Sequence, residues 1–235
     1  MTDQKLRTNL TVPSSAPEVS EQQIEAARYA VLRRLSPCLR HNLVRPLQPI
    51  GLIYGVMSHK LSADEPDLPT LRTQVEKIND FAKSALSECH YVGSWLAPEA
   101  GALTELGEGV KECVSLLATM LHFCGFRLEN EVAEMPVQLQ RDALRMVLIA
   151  ALLELTDSLS EPATIAISAT VLKKDVAVFL QVSDRREGSV ERYDDGYRKL
   201  VWSDVQALAA EEDVKLSREE SQVTLRFAIE HLSPV

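Results

Sequence analysis

The stretch 69–96, PTLRTQVEKINDFAKSALSECHYVGSWL, decides the fold of the first third of the chain. Its apolar residues Leu71, Val75, Ile78, Ala82, Ala85, Cys89, Val92 and Leu96 alternate steps of four and three. That is a heptad seam, the pattern of a coiled coil or helical bundle, and it predicts a helix from about Pro69 to Leu96. Upstream, the turn-rich SADEPDLP (62–69) separates this helix from another helical pattern over 18–61. There Leu32, Leu35, Leu39, Leu43, Leu47, Ile50, Tyr54, Met57 and Leu61 form one stripe. Pro37, Pro46 and Pro49 each remove an N–H donor, so a kinked helix, or a short helix followed by a long one, is expected. Two helices joined by a short turn make an antiparallel hairpin. One hairpin cannot cover both seams, and a four-helix bundle built by two chains can.

Working outward, residues 1–18 are polar and carry Pro13, Ser14, Ser15 and Pro17, which reads as a disordered tail. The segment Pro98–Gly101 reads as a linker. Beyond it the pattern turns α/β. A helix is expected over 103–124, ending at Gly125, then a strand around Phe126–Val132 and an apolar helix over 139–159. Alternation at Ile165, Ile167, Ala169 and Val171, and again at Val176, Val178, Leu180 and Val182, predicts a β-hairpin with one buried face. A helix from about Lys199 to Glu211 and a strand over 222–230 complete a mixed sheet covered by helices on one face. The expected class is α+β, with a tail (1–18), a dimerising helical hairpin (19–97) and an α/β sandwich domain (101–235).

The chain has 235 residues and a net charge of −9, which argues against nucleic acid or an anionic membrane surface as the main partner. The longest apolar run, Met146–Leu153, is too short for a bilayer span, and the N-terminus lacks the apolar core of a secretory signal. A cytoplasmic protein is expected. The cysteines Cys38, Cys89, Cys113 and Cys124 have no CxxC spacing and sit among apolar neighbours, so buried, reduced thiols are expected rather than disulfides or zinc. No P-loop, GxSxG elbow or zinc signature occurs. His59, His90, His122 and His231 lack partners for a triad or metal site and read as ordinary structural histidines.

His41 differs in its surroundings. At 100° per residue it points away from the apolar stripe, on the side of Arg34, Arg45 and Gln48. Val44, Gly51, Leu52 and Gly55 lie just beyond it on that side. Two glycines inside a helix cost about 1 kcal/mol each relative to alanine. Four apart on an exposed face, they let another backbone approach closely, and the apolar pair beside them makes a small docking patch.

The segment His41-Asn42-Leu43-Val44-Arg45-Pro46-Leu47 resembles the H-box of sensor histidine kinases, a His followed five residues later by Pro. The resemblance extends from about residue 20 to the end, through the hairpin and the α/β domain. It implies that His41 accepts a phosphoryl group. Asn42 stands where most such kinases have an acid; an amide cannot serve as base but can orient an imidazole. Arg141–Leu159 resembles the helix carrying the nucleotide-site asparagines, with Ala150 and Glu154 in their places. The run Val182–Gly188 resembles the DxGxG box, keeping Asp184 and Gly188 but with Arg186 for the first glycine. No second glycine-rich box follows, and Asp194 and Asp195 occupy the loop expected to close over phosphates.

These departures imply a phosphotransferase that has lost ATP use and relays a phosphoryl group between receiver-domain aspartates. Its expected partners are receiver domains and a second copy of the chain. No cofactor of its own is expected, since the receiver brings the Mg²⁺. In this reading His41, Asn42 and Arg45 carry the chemistry, and Arg34, Val44, Gln48, Gly51, Leu52 and Gly55 meet the partner. An ATP-dependent kinase with an atypical site, or a non-catalytic interaction module, are the alternatives.

Overall fold

A computed structural model describes residues 19–97, 99–190 and 197–232. The expected tail over 1–18 and the loop residues Asp194 and Asp195 lie outside the described residues.

Helix α1 runs unbroken over Glu21–Leu61 despite its three prolines. Ser20 caps it: its hydroxyl accepts from Gln23 N at 3.3 Å, and Gln23 Oε1 accepts from Ser20 N at 3.0 Å. Pro37 leaves the Arg33 carbonyl without its usual helical donor, and the Ser36 hydroxyl donates to that oxygen at 2.9 Å instead. Helix α2 spans Leu68–Leu96. Asp67 caps it by accepting from Thr70 N at 3.2 Å. Hydrogen bonds from Thr70 hold the Asp67 carboxyl below its ordinary pKa.

The heptad reading of α2 is right in period and half right in face. The side turned toward α1 carries Leu71, Gln74, Ile78, Phe81, Ala85, Glu88, Val92 and Trp95, all buried or half-buried. Val75, Ala82, Cys89 and Leu96, expected in the same seam, are exposed. With Leu68 they form a row at steps of seven. On α1, Leu47, Tyr54 and Leu61 form a matching row, also at steps of seven and also exposed. The large side chains of the two rows are between 51% and 69% exposed. Each row lies about 90° around its helix from the direction facing the other helix, in the same rotational sense. In an antiparallel pair that puts both rows on one side of the hairpin.

The remainder is built from β1 (Leu103–Glu105), α3 (Leu106–Phe123), β2 (Arg127–Asn130), β3 (Val137–Gln140), α4 (Arg141–Ser158), β4 (Thr164–Val171), β5 (Asp175–Ser183), α5 (Trp202–Glu211), β6 (Lys215–Arg218), β7 (Gln222–Ala228) and β8 (His231–Leu232). The main sheet has the order β2-β4-β5-β7-β6, antiparallel except for the parallel β2–β4 pair. A small sheet pairs β1-β3-β8. Alternation on the strands buries Ile165, Ile167, Val178, Leu180 and Leu225 under the helices, while Ser168, Phe179, Gln181 and Thr224 on the other face are only half-buried. Nearly all of α4 from Ala143 to Thr156 is buried, because it is covered on several sides.

The hairpin is joined to this domain along the first half of α1. Ala27, Ala30, Val31 and Leu35 have no solvent exposure. Three arginines fasten the junction. Arg34 of α1 donates to both oxygens of Asp157 on α4, at 2.7 and 3.1 Å. Arg28 of α1 donates to Glu211 at 2.6 Å, at the end of α5. Arg145 of α4 reaches the Ser94 carbonyl of α2 at 3.2 Å, pairs with Glu112 of α3 and lies 4.6 Å from the centre of the Trp95 ring.

Candidate functional site

His41 sits one helical turn beyond the place where α1 leaves the α/β domain. The last sulfur contact on that side is Cys38 Sγ to Met120 Sδ of α3, at 3.9 Å. Three residues further, the imidazole of His41 is exposed and makes no hydrogen bond or ion pair among the described residues. It points about 140° away from the exposed heptad row of α1. Two copies packed on that row would leave His41 open to a third protein.

The face continues upward from His41. Val44, Arg45, Gln48, Gly51, Leu52 and Gly55 are all exposed, as expected. Leu52 is 74% exposed, the most of any large apolar side chain on the described hairpin. A Cβ built on Gly51 or Gly55 would meet nothing within 4 Å, so neither glycine is required by packing inside this chain. Arg45 makes a loose pair with Glu88 of α2 at 3.7 Å. Asn42 is half-buried toward α2 and makes no side-chain hydrogen bond among the described residues.

Arg34 departs from the expectation. It does not face water beside His41 but is 9% exposed and tied to Asp157, so it belongs to the junction and not to the docking face. The cysteines also divide: Cys113 and Cys124 are buried and Cys38 half-buried, but Cys89 is exposed on the apolar row of α2. All are free thiols, and burial pushes the Cys113 and Cys38 thiols up.

On the domain side, Ala150 and Glu154, the positions that the resemblance assigns to a nucleotide site, share one face of α4 with Asp157 and Ser158. Ala150 is fully buried and offers no ligand atom. Glu154 Oε1 accepts from Arg218 Nη1 of β6 at 2.7 Å, and the guanidinium lies 5.2 Å from the centre of the Trp202 ring. Glu154 Oε2 is buried without a partner. Asp157 is taken by Arg34 and by Leu200 N at 3.0 Å. Both carboxylates of this face are thus paired with guanidiniums of the chain itself, Asp157 with Arg34 and Glu154 with Arg218. The loop after β5 is tied to its neighbours through Arg186. Arg186, in place of the expected glycine, donates from its backbone N to Pro162 O at 2.8 Å and from Nη2 to Gly125 O at 3.1 Å. Asp184 is exposed, with a φ of 47°. Among the described residues no group of three or more His, Cys, Asp or Glu could hold a metal ion.

Glu88 and Asp157 are the residues that sequence reading missed. Glu88 had a signal available: it is a charged residue at a seam-spaced position, three after Ala85 and four before Val92. Asp157 had none, since its partner Arg34 is 123 positions away.

No family model and no curated protein matches the chain. Among solved structures it is similar to the histidine kinase AdeS of Acinetobacter baumannii, at 18% identity over 81% of this chain and 98% of that one, with a TM-score of 0.43. It is similar to a bacterial phosphotransferase at 13% identity, covering 89% and 98%, with a TM-score of 0.38. It is also similar to histidine kinase ThkA, solved in complex with the response regulator TrrA, at 16% identity over 92% of this chain and 66% of that one, with a TM-score of 0.41.

Proposed function

We propose that the chain is a histidine phosphotransferase that moves a phosphoryl group between receiver-domain aspartates through His41. The observation that carries this reading is the setting of His41. It is exposed, unpartnered among the described residues, followed by Pro46, and flanked by a face of open glycines and exposed apolar residues. In the forward step an imidazole nitrogen attacks the phosphorus of an aspartyl phosphate. The P–N bond forms as the P–O bond breaks, the aspartate leaves as a carboxylate, and the imidazolium loses its remaining N–H proton to solvent. The return step reverses this on a second receiver. Mg²⁺ bound by the receiver offsets charge on the group in transfer. Arg45, one turn above His41, favours the phosphorylated form. Val44, Gln48, Gly51, Leu52 and Gly55 contact the receiver.

In this reading the hairpin, 19–97, dimerises through the rows Leu47–Tyr54–Leu61 and Leu68–Val75–Ala82–Cys89–Leu96. The 101–235 domain serves as scaffold and not as a nucleotide site. No described helix is long and apolar enough to cross a membrane, and a cytoplasmic location is part of the proposal. The test compares two donors. Label should enter the protein from receivers charged with acetyl phosphate and not from ATP, and calorimetry should detect no Mg·ATP binding at submillimolar concentration. Incorporation from ATP that depends on Asp184 would support the kinase reading instead. Receiver binding without label transfer would support a non-catalytic interaction module.

A further inference from the structure

Glu88 lies on α2, inside the hairpin and outside the docking face, yet its carboxylate faces Arg45, one turn beyond His41. Arg45 and His41 are four residues apart on α1, so their side chains leave the helix on neighbouring positions of one side. Arg45 is 66% exposed at its side chain and Glu88 22%, with 3.7 Å between Nη2 and Oε1. A pair this long and this wet is weak, and the longer, more exposed partner is the one free to swing. Among the described residues Glu88 is the only partner of Arg45. Ala85 and Val92, one turn to either side on the same face, are buried and half-buried.

We infer that Glu88 is a positioning residue that competes with the phosphoryl group on His41 for Arg45, and thereby sets how far the transfer equilibrium favours phosphohistidine. The inference rests on the phosphotransfer reading above. A phosphoryl group on His41 brings a dianion within reach of the guanidinium, and its oxygens accept more strongly than a single solvated carboxylate. Arg45 must leave Glu88 to make that contact. Glu88 thus lowers the affinity of the site for phosphate and keeps the group easy to pass on, which a relay needs more than a store.

The test measures the equilibrium distribution of label between the full-length chain and a receiver domain charged with acetyl phosphate, chosen because it loads the wild-type protein. Glu88→Gln keeps size and polarity but releases Arg45, and should shift the equilibrium toward phosphohistidine by two- to fivefold. Arg45→Ala should shift it the other way. In the double variant the Glu88→Gln gain should vanish, because the effect acts through Arg45. A gain that survives Arg45→Ala would mean that Glu88 acts by its own charge, and an unchanged equilibrium in Glu88→Gln would mean that it does not act; either result overturns the inference. Circular dichroism and thermal melting of each variant separate a loss of fold from these outcomes. If no charged receiver loads the wild-type chain, the phosphotransfer reading fails and the inference with it. If wild type loads and only the Glu88 shift is missing, the inference fails alone.

Discussion

The two halves of α1 are one continuous helix with opposite surroundings. Below His41, Ala27, Ala30, Val31 and Leu35 are sealed against the α/β domain, and Arg28 and Arg34 are bound to its carboxylates. Above it, Leu47, Leu52, Tyr54 and Leu61 are more than half exposed, and two glycines face open space. The first half is finished inside one chain. The second is left open on two different sides, where the proposed function puts a second copy on the heptad rows and a receiver on the His41 face. His41 falls at the border, rigidly held from below and open above. That arrangement suits a nucleophile that must be positioned and yet reached.

The difference between the halves can be broken most severely from below. Arg34→Ala leaves Asp157, among the described residues, with the Leu200 N–H alone, in a site where both side chains of the pair are 11% exposed. Loss of one partner of a largely buried pair should cost about 2–3 kcal/mol in urea unfolding. Hydrogen exchange should rise first in the lower half of α1 and leave the upper half little changed.

A charge on the upper half should act on assembly instead. Tyr54→Glu or Val75→Glu, on the exposed rows, should convert a species of about twice the 26.1 kDa chain mass to a monomer by light scattering, with helicity kept. Ile78→Glu, on the half-buried side that α2 turns to α1, should lower dimerisation and stability together. If wild type is already a monomer at micromolar concentration, the upper half is not completed by a second copy.

A smaller effect lies in the domain. Burial pushes the Asp204 carboxyl up, but hydrogen bonds from Arg198 and from Val201 N, at 2.6–2.9 Å, with the Arg198 charge, more than offset this and hold it below its ordinary 3.8. A depressed carboxyl contributes stability above its unfolded pKa and loses it as pH falls through the folded one. Asp204→Asn should therefore cost about 1 kcal/mol at neutral pH and less in acid, flattening the stability profile below about pH 4. Smallest in stability is Leu52→Arg, which should change unfolding by less than about 0.5 kcal/mol. It should slow transfer several-fold, and only at low receiver concentration, since the lesion is in docking.

Much of this was legible in the chain. Heptad spacing marked both helices of the hairpin, and strict alternation marked β4, β5 and β7, because each runs long enough to repeat its pattern. The short strands β1, β3 and β6 hold three or four residues each, which is barely one alternation, and β3 runs straight into α4, so its apolar residues read as helix. The second face of α2 was missed because Gln74 and Glu88 are polar residues in an otherwise apolar seam. The site was legible where it is local, as at His41, Arg45 and the glycines. It was not legible where it depends on distant pairing: Arg34 shares the His41 side by helical phase, and only the docked domain shows that Asp157 claims it.

The border residue carries the account. His41→Gln removes an exposed side chain that makes no hydrogen bond or ion pair among the described residues, so the variant should stay dimeric and melt within about 0.5 kcal/mol of wild type. No neighbour can replace the imidazole: Asn42 and Arg45 are not nucleophiles, and His59 is roughly 27 Å away along α1. The decisive measurement is acid-labile phosphate on this variant after incubation with charged receivers that load wild type. The account predicts none. Uptake at the wild-type rate would contradict it.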